Sequence, residues 1–126
     1  MEQLKRKNRK FQIIKTEFSN LGADSNRVSV ETDKQYKKVT GIFAYTDPDY
    51  NDNINVELDS PLKINNVEQF PENFDLGLLF PAESNKHFTA INEDAAGSLI
   101  EFDFATPDAA GTLTIILILE NPVTPE

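Results

Sequence analysis

Asp47, Asp49 and Asn51 stand at alternate positions in the run Asp47-Pro48-Asp49-Tyr50-Asn51-Asp52-Asn53. At that spacing side-chain oxygens can converge on a hard cation such as calcium. The match then stops. The position that needs a glycine for the sharp turn holds Asp52, and the position of the bidentate glutamate holds Leu58. The segment reads first as an acidic β-turn, with a weak calcium loop as the alternative. His87 is the only histidine, and cysteine is absent. A zinc site would therefore have to recruit several carboxylates, so His87 reads as a satisfied or solvent-facing residue. No G-x-S-x-G, P-loop or G-x-G-x-x-G occurs. Carboxylates are plentiful, but no two are marked as an acid pair for glycosidase chemistry. The expectation is a non-enzymatic protein without a cofactor.

Charge is distributed unevenly. Lys5, Arg6, Lys7, Arg9, Lys10 and Lys15 face Glu2 alone in the first fifteen residues, which thus hold six of the twelve cations. The remainder holds the other six cations and twenty of the twenty-one acids. A short cationic arm, residues 1–10, therefore precedes an acidic body, residues 11–126. The arm can be a solvated leader, a phosphate-neutralising contact to nucleic acid, or an anchor on the acidic surface of a neighbouring copy. The acidic body would repel phosphate, which favours a protein partner over nucleic acid. The residues expected to carry that contact are Lys5, Arg6, Lys7, Arg9 and Lys10.

Strands must position these groups. Residues 53–59 alternate strictly, as do Ile100, Phe102 and Phe104 with Glu101 and Asp103, the pattern of strands with one face in a core. Lys38 to Thr46 is rich in β-branched and aromatic residues, and Gly41 within it signals a bulge or a close backbone approach. Leu113 to Leu119 is apolar on both faces and must be a central strand or part of an interface. About eight strands are expected, near 10–18, 27–31, 37–46, 53–59, 62–65, 75–80, 87–91 with 98–104, and 112–120. At most one helical turn is expected near Val67–Phe74, because Pro71 would interrupt anything longer. Many short strands at this spacing make an all-β sandwich or barrel the expected fold. At 126 residues the chain fits a single domain with a real core. The longest apolar run is too short for a membrane span, and no signal-peptide pattern is read near the basic run. Phe70, Phe74, Phe80, Phe88, Phe102 and Phe104 could stack on sugars, but Phe102 and Phe104 lie on the core period and there is no tryptophan. Tyr45 and Tyr50 are the better candidates for exposed aromatic surface.

Taken together, the arm Lys5-Arg6-Lys7-Asn8-Arg9-Lys10, the segment Lys38-Val39-Thr40-Gly41-Ile42, the strand Leu113–Leu119 and the insertion from Asn66 to Phe74 resemble small jelly-roll structural proteins of bacteriophage virions. The resemblance implies two four-stranded sheets, an arm along the shell interior, and loops facing neighbours or solvent. It implies a capsid, vertex or decoration protein whose partners are itself, as a homo-oligomer, and other capsid proteins. Such a protein is made in the host cytoplasm and located in the virion. The alternative is a carbohydrate- or small-ligand-binding module using Tyr45, Tyr50 and the turn from Asp47 to Asn53.

Overall fold

A computed structural model describes residues 9–18, 26–47, 56–79, 88–105 and 111–121, and within them the chain is all-β. The strands are β1 (Arg9–Phe18), β2 (Asn26–Glu31), β3 (Lys38–Asp47), β4 (Glu57–Leu58), β5 (Leu62–Ile64), β6 (Val67–Phe70), β7 (Thr89–Asp94), β8 (Leu99–Ala105) and β9 (Gly111–Glu120). Two antiparallel sheets form a β-sandwich. One has the order β1-β9-β3-β7; the other has the order β2-β8-β5-β6, with β4 also paired to β8. Pairing is nested: β1 with β9, β2 with β8, β3 with β7, and β5 with β6. Among the described residues no helix is long and apolar enough to cross a membrane.

Alternation places the core. On β8, Ile100, Phe102 and Phe104 point inward and are fully buried. From the opposing sheet come Ile14 and Phe18 of β1, Ile42 and Ala44 of β3, and Leu113, Ile115, Leu117 and Leu119 of β9. Phe104 meets Phe18 edge-on at a centroid distance of 6.1 Å and Phe102 at 6.0 Å, a favourable aromatic geometry. β9 is the central strand expected of its two apolar faces, flanked by β1 and β3.

Gly41 sits at a bulge, as its place in β3 suggested. The register shifts between Val39 and Gly41, leaving Thr40 as the extra residue. One added residue inverts the side-chain phase. Val39 therefore points inward before the bulge, and Ile42 and Ala44 point inward after it.

Three local expectations change. The segment Val67–Phe70 is a strand rather than a helical turn, joined to β5 by Asn65 and Asn66 at φ 56° and 61°. Both central residues of this two-residue turn take the left-handed conformation that asparagine tolerates. Residues 75–80 were expected as a strand, but Leu76–Leu79 form a 3₁₀ turn. Asp75 bridges Glu57 of β4, but its Oδ1 accepts the Gly77 N–H at 2.8 Å and its carbonyl the Leu78 N–H at 3.0 Å, which turns the chain out of strand pairing beyond it. The strand expected at 53–59 is confined to Glu57–Leu58 in the described residues. The chain then leaves the ladder at Asp59 and Ser60, whose N–H groups both donate to the Asp103 carbonyl.

The turn before β8 carries Ala96 at φ 63°, next to Gly97 at φ 88°. An L-residue with a Cβ is strained there. Ala96→Gly is expected to raise stability by about 1 kcal/mol, or Tm by roughly 3–6 °C, as thermal melting would show. An unchanged or lowered Tm would mean that this backbone is not strained.

Candidate assembly surface

The outer face of the β1-β9-β3-β7 sheet is built in rows that run across the strands. The first row is charged and alternates in sign: Arg9, Glu120, Lys38, Asp94. Arg9 Nη2 lies 2.7 Å from Glu120 Oε1, and Lys38 Nζ lies 3.4 Å from Asp94 Oδ1. The next rows are apolar. Phe11 stands opposite Ile118 and Gly41, and Ile13 stands opposite Ile116 and Phe43. Beyond them lies Lys15-Thr114-Tyr45, then Glu17-Thr112.

This face differs from an ordinary solvent face. Phe11 is 56% exposed and Ile13 57% exposed, and Phe88 is 42% exposed. Ile118 points outward yet is only 1% exposed, because side chains of its own face cover it. The Phe88 ring lies over Gly41, where a Cβ would fall 2.7 Å from Phe88 Cε2 and 3.0 Å from Ile118 Cδ1. Gly41 is thus the close approach that lets an aromatic ring lie flat on the sheet. At about 200 Å² per large side chain, four such half-exposed residues, Tyr45 included, present about 400 Å². That is as much contiguous apolar surface as a monomer ordinarily shows.

The other sheet presents the contrast. Its outer face carries an ion-pair cluster, with Arg27 held by Glu101 at 2.9 Å and by Asp103 at 3.1 Å, beside Lys63. Of its large apolar side chains among the described residues, this sheet exposes only the aliphatic Val67 and Leu99. Exposed pairs of this kind contribute little stability but suit a face in water.

The open sides of the sandwich are bridged by polar side chains. Gln69 Nε2 on β6 donates to Glu93 Oε1 on β7 at 3.0 Å. On the opposite side Gln12 Nε2 donates to the Glu31 carbonyl and its Oε1 accepts the Asp33 N–H. Lys10 Nζ reaches Asp33 Oδ2 at 2.6 Å. That hydrogen bond, followed by the Gln35 N–H, holds the Asp33 carboxyl below its ordinary value. The same bond raises Lys10 above 10.5. The aspartate's stabilisation is therefore complete above the ordinary carboxylate range and lost as pH falls through its lowered value. The lysine's is complete below 10.5 and lost as pH rises through its raised value. Asp33→Asn is expected to flatten the acid limb of a melting-temperature profile, so that variant and parent converge at low pH. Parallel profiles between pH 2 and 7 would show that the pair contributes nothing.

The residues expected to matter are only partly brought together. Arg9 and Lys10 stand in β1, each in an ion pair within the sandwich, while Lys5, Arg6 and Lys7 lie outside the described residues. Asp47 ends β3, and Asp49, Tyr50, Asn51 and His87 lie outside the described residues. Among the described residues no group of three or more His, Asp or Glu side chains is placed to hold a metal. Tyr45 lies on the outer face beside an open depression of about 640 Å³ lined by Lys15, Thr16, Glu17, Tyr45, Thr112 and Thr114. Sequence reading missed Phe11 and Ile13. Their signal was present: Phe11, Ile13 and Ile14 make β1 apolar at both parities, as in β9.

No protein-family model matches the chain, and comparison with curated proteins and with solved structures finds no match.

Proposed function

We propose that this chain is a non-enzymatic structural subunit of a bacteriophage particle, a capsid, vertex or decoration protein, that works by protein–protein assembly. The observation that carries the reading is the apolar outer face around Phe11, Ile13 and Phe88, set against a second sheet that shows ion pairs and no exposed aromatic ring among the described residues. A patch of this size, the largest a monomer ordinarily carries, is often an interaction site. The finer description of the fold is a jelly roll. Its support is the nested pairing, in which the chain doubles back on itself and deals successive strand pairs alternately to the two sheets. The cations Lys5, Arg6 and Lys7, ahead of β1, would anchor the subunit on an acidic neighbour.

Light scattering with electron microscopy of the purified protein tests this. Oligomers or assemblies are expected, together with co-sedimentation on phage particles. A clean monomer at high concentration that associates with no particle overturns the proposal.

One observation favours a second reading, a carbohydrate- or small-ligand-binding module. The depression beside Tyr45 combines an exposed ring with Lys15, Glu17, Thr112 and Thr114, the mixture of flat apolar and hydrogen-bonding groups a sugar needs. A glycan array without hits disposes of it.

A further inference from the structure

β1 is the terminal strand of its sheet, ten residues long, and no described strand pairs with its other side. A long edge of this kind is a template for another strand. We propose that two copies of this chain join by antiparallel pairing of their β1 edges about Ile13, merging two four-stranded sheets into one of eight strands. The proposal rests on reading the outer face as an assembly surface and names the partner as a second copy.

The direction of the main chain supports it. Thr40 Oγ1 on β3 donates to the Ile118 carbonyl at 3.5 Å, so the main-chain groups of Ile118 turn toward β3. These groups alternate sides along an antiparallel strand. Those of Leu117 and Leu119 therefore turn toward β1 and their partners Gln12 and Lys10. The N–H and C=O of Arg9, Phe11, Ile13, Lys15 and Glu17 are left pointing out of the free edge.

Charge selects the register. Pairing about Ile13 sets Ile13 against its own copy, Phe11 against Lys15 of the second copy, and Arg9 against Glu17 of the second copy, twice by symmetry. Centring on Gln12 would set Arg9 against Lys15, two like charges; centring on Ile14 would set Phe11 against Glu17. Arg9 uses Nε and Nη2 on Glu120, which leaves its Nη1 donors for Glu17.

Two of the three cations on the described edge are already paired. Lysine on an edge strand deters pairing by repulsion, but here Lys10 is held by Asp33 and Arg9 by Glu120. Arg9, Lys10 and Lys15 are balanced by Glu17, Asp33 and Glu120. On a protein of net charge −9, the described margin is neutral, so two copies meet there without the repulsion between acidic surfaces. Joining there sets the Ile13-Ile116-Phe43 rows of the two copies end to end and makes one apolar row of twice the length.

Sedimentation equilibrium on the full chain tests the proposal. A concentration-dependent dimer is expected. Ile13→Pro removes an N–H that serves only the free edge and leaves the β9 ladder intact, so a monomer with an unchanged circular-dichroism spectrum is expected. Glu17→Arg places like charges opposite Arg9 and should weaken the dimer at least tenfold, and adding Arg9→Glu should restore it. If Ile13→Pro fails to fold, this charge swap decides alone. A parent protein that stays monomeric, or a dimer indifferent to the charge swap, overturns the proposal. A monomer that still binds phage particles would sink the edge pairing and spare the function, whereas a charge-sensitive dimer that binds no particle would do the reverse.

Discussion

Phe104→Ala is expected to cost about 3–5 kcal/mol, the range for deleting a buried aromatic ring from a packed core. Phe104 is fully buried on β8 and its ring touches both Phe18 and Phe102. Its loss removes two ring pairs and leaves a cavity at the junction of β1 and β8, on opposite sheets. Small domains are stable by only about 5–15 kcal/mol, so this one change should consume a large part of the total. Phe104→Leu retains most of the volume and should cost clearly less. Urea unfolding followed by circular dichroism would give both values. If Phe104→Ala lost under 1 kcal/mol, the ring would not be at the centre of the core.

A second prediction sets two neighbours on β9 against each other. Leu117 points into the sandwich and is fully buried, while Ile116 points outward from the same strand and is only partly covered. Leu117→Asp puts a carboxylate with no partner between the sheets, a penalty of at least several kcal/mol. The variant is expected not to fold at neutral pH. Ile116→Asp places the same charge on the outer face, next to Ile13 and Phe43, and should leave the fold intact while weakening any association through that face. Because side chains alternate with a period of two, a register slipped by one residue would exchange the two outcomes. Circular dichroism and size measurement on the pair would expose such an exchange.

The all-β sandwich was legible in the sequence because period-two alternation is a local property. Ile100, Phe102 and Phe104 declare their face without reference to anything distant, and Gly41 announced both its bulge and its close contact. The asparagine turn at Asn65 and Asn66 was read past because two asparagines resemble any loop until their φ angles are known. Leu76–Leu79 is apolar enough for a buried strand, but the Asp75 carboxylate captured the Gly77 N–H and the Asp75 carbonyl that of Leu78. Pairing order was not legible: nothing in β1 says that it will lie beside β9 rather than β2. The outer apolar face was hidden for the same reason. Phe11, Ile13, Ile116 and Phe88 are scattered along the chain and become one surface only when the sheet assembles.

Nested pairing also bears on how the molecule is made. Arg9 and Glu120, partners in one ion pair, are 111 residues apart in sequence. Contacts between such distant residues are reached late in folding, because the loop they close is costly in entropy. On a ribosome β1 emerges well before β9, the strand that completes its ladder. Until β9 emerges, Phe11, Ile13 and Ile14 lack the strand that they pair with. The cations crowded around that strand would then serve the nascent chain as well as the finished one, keeping β1 in solution until β9 arrives.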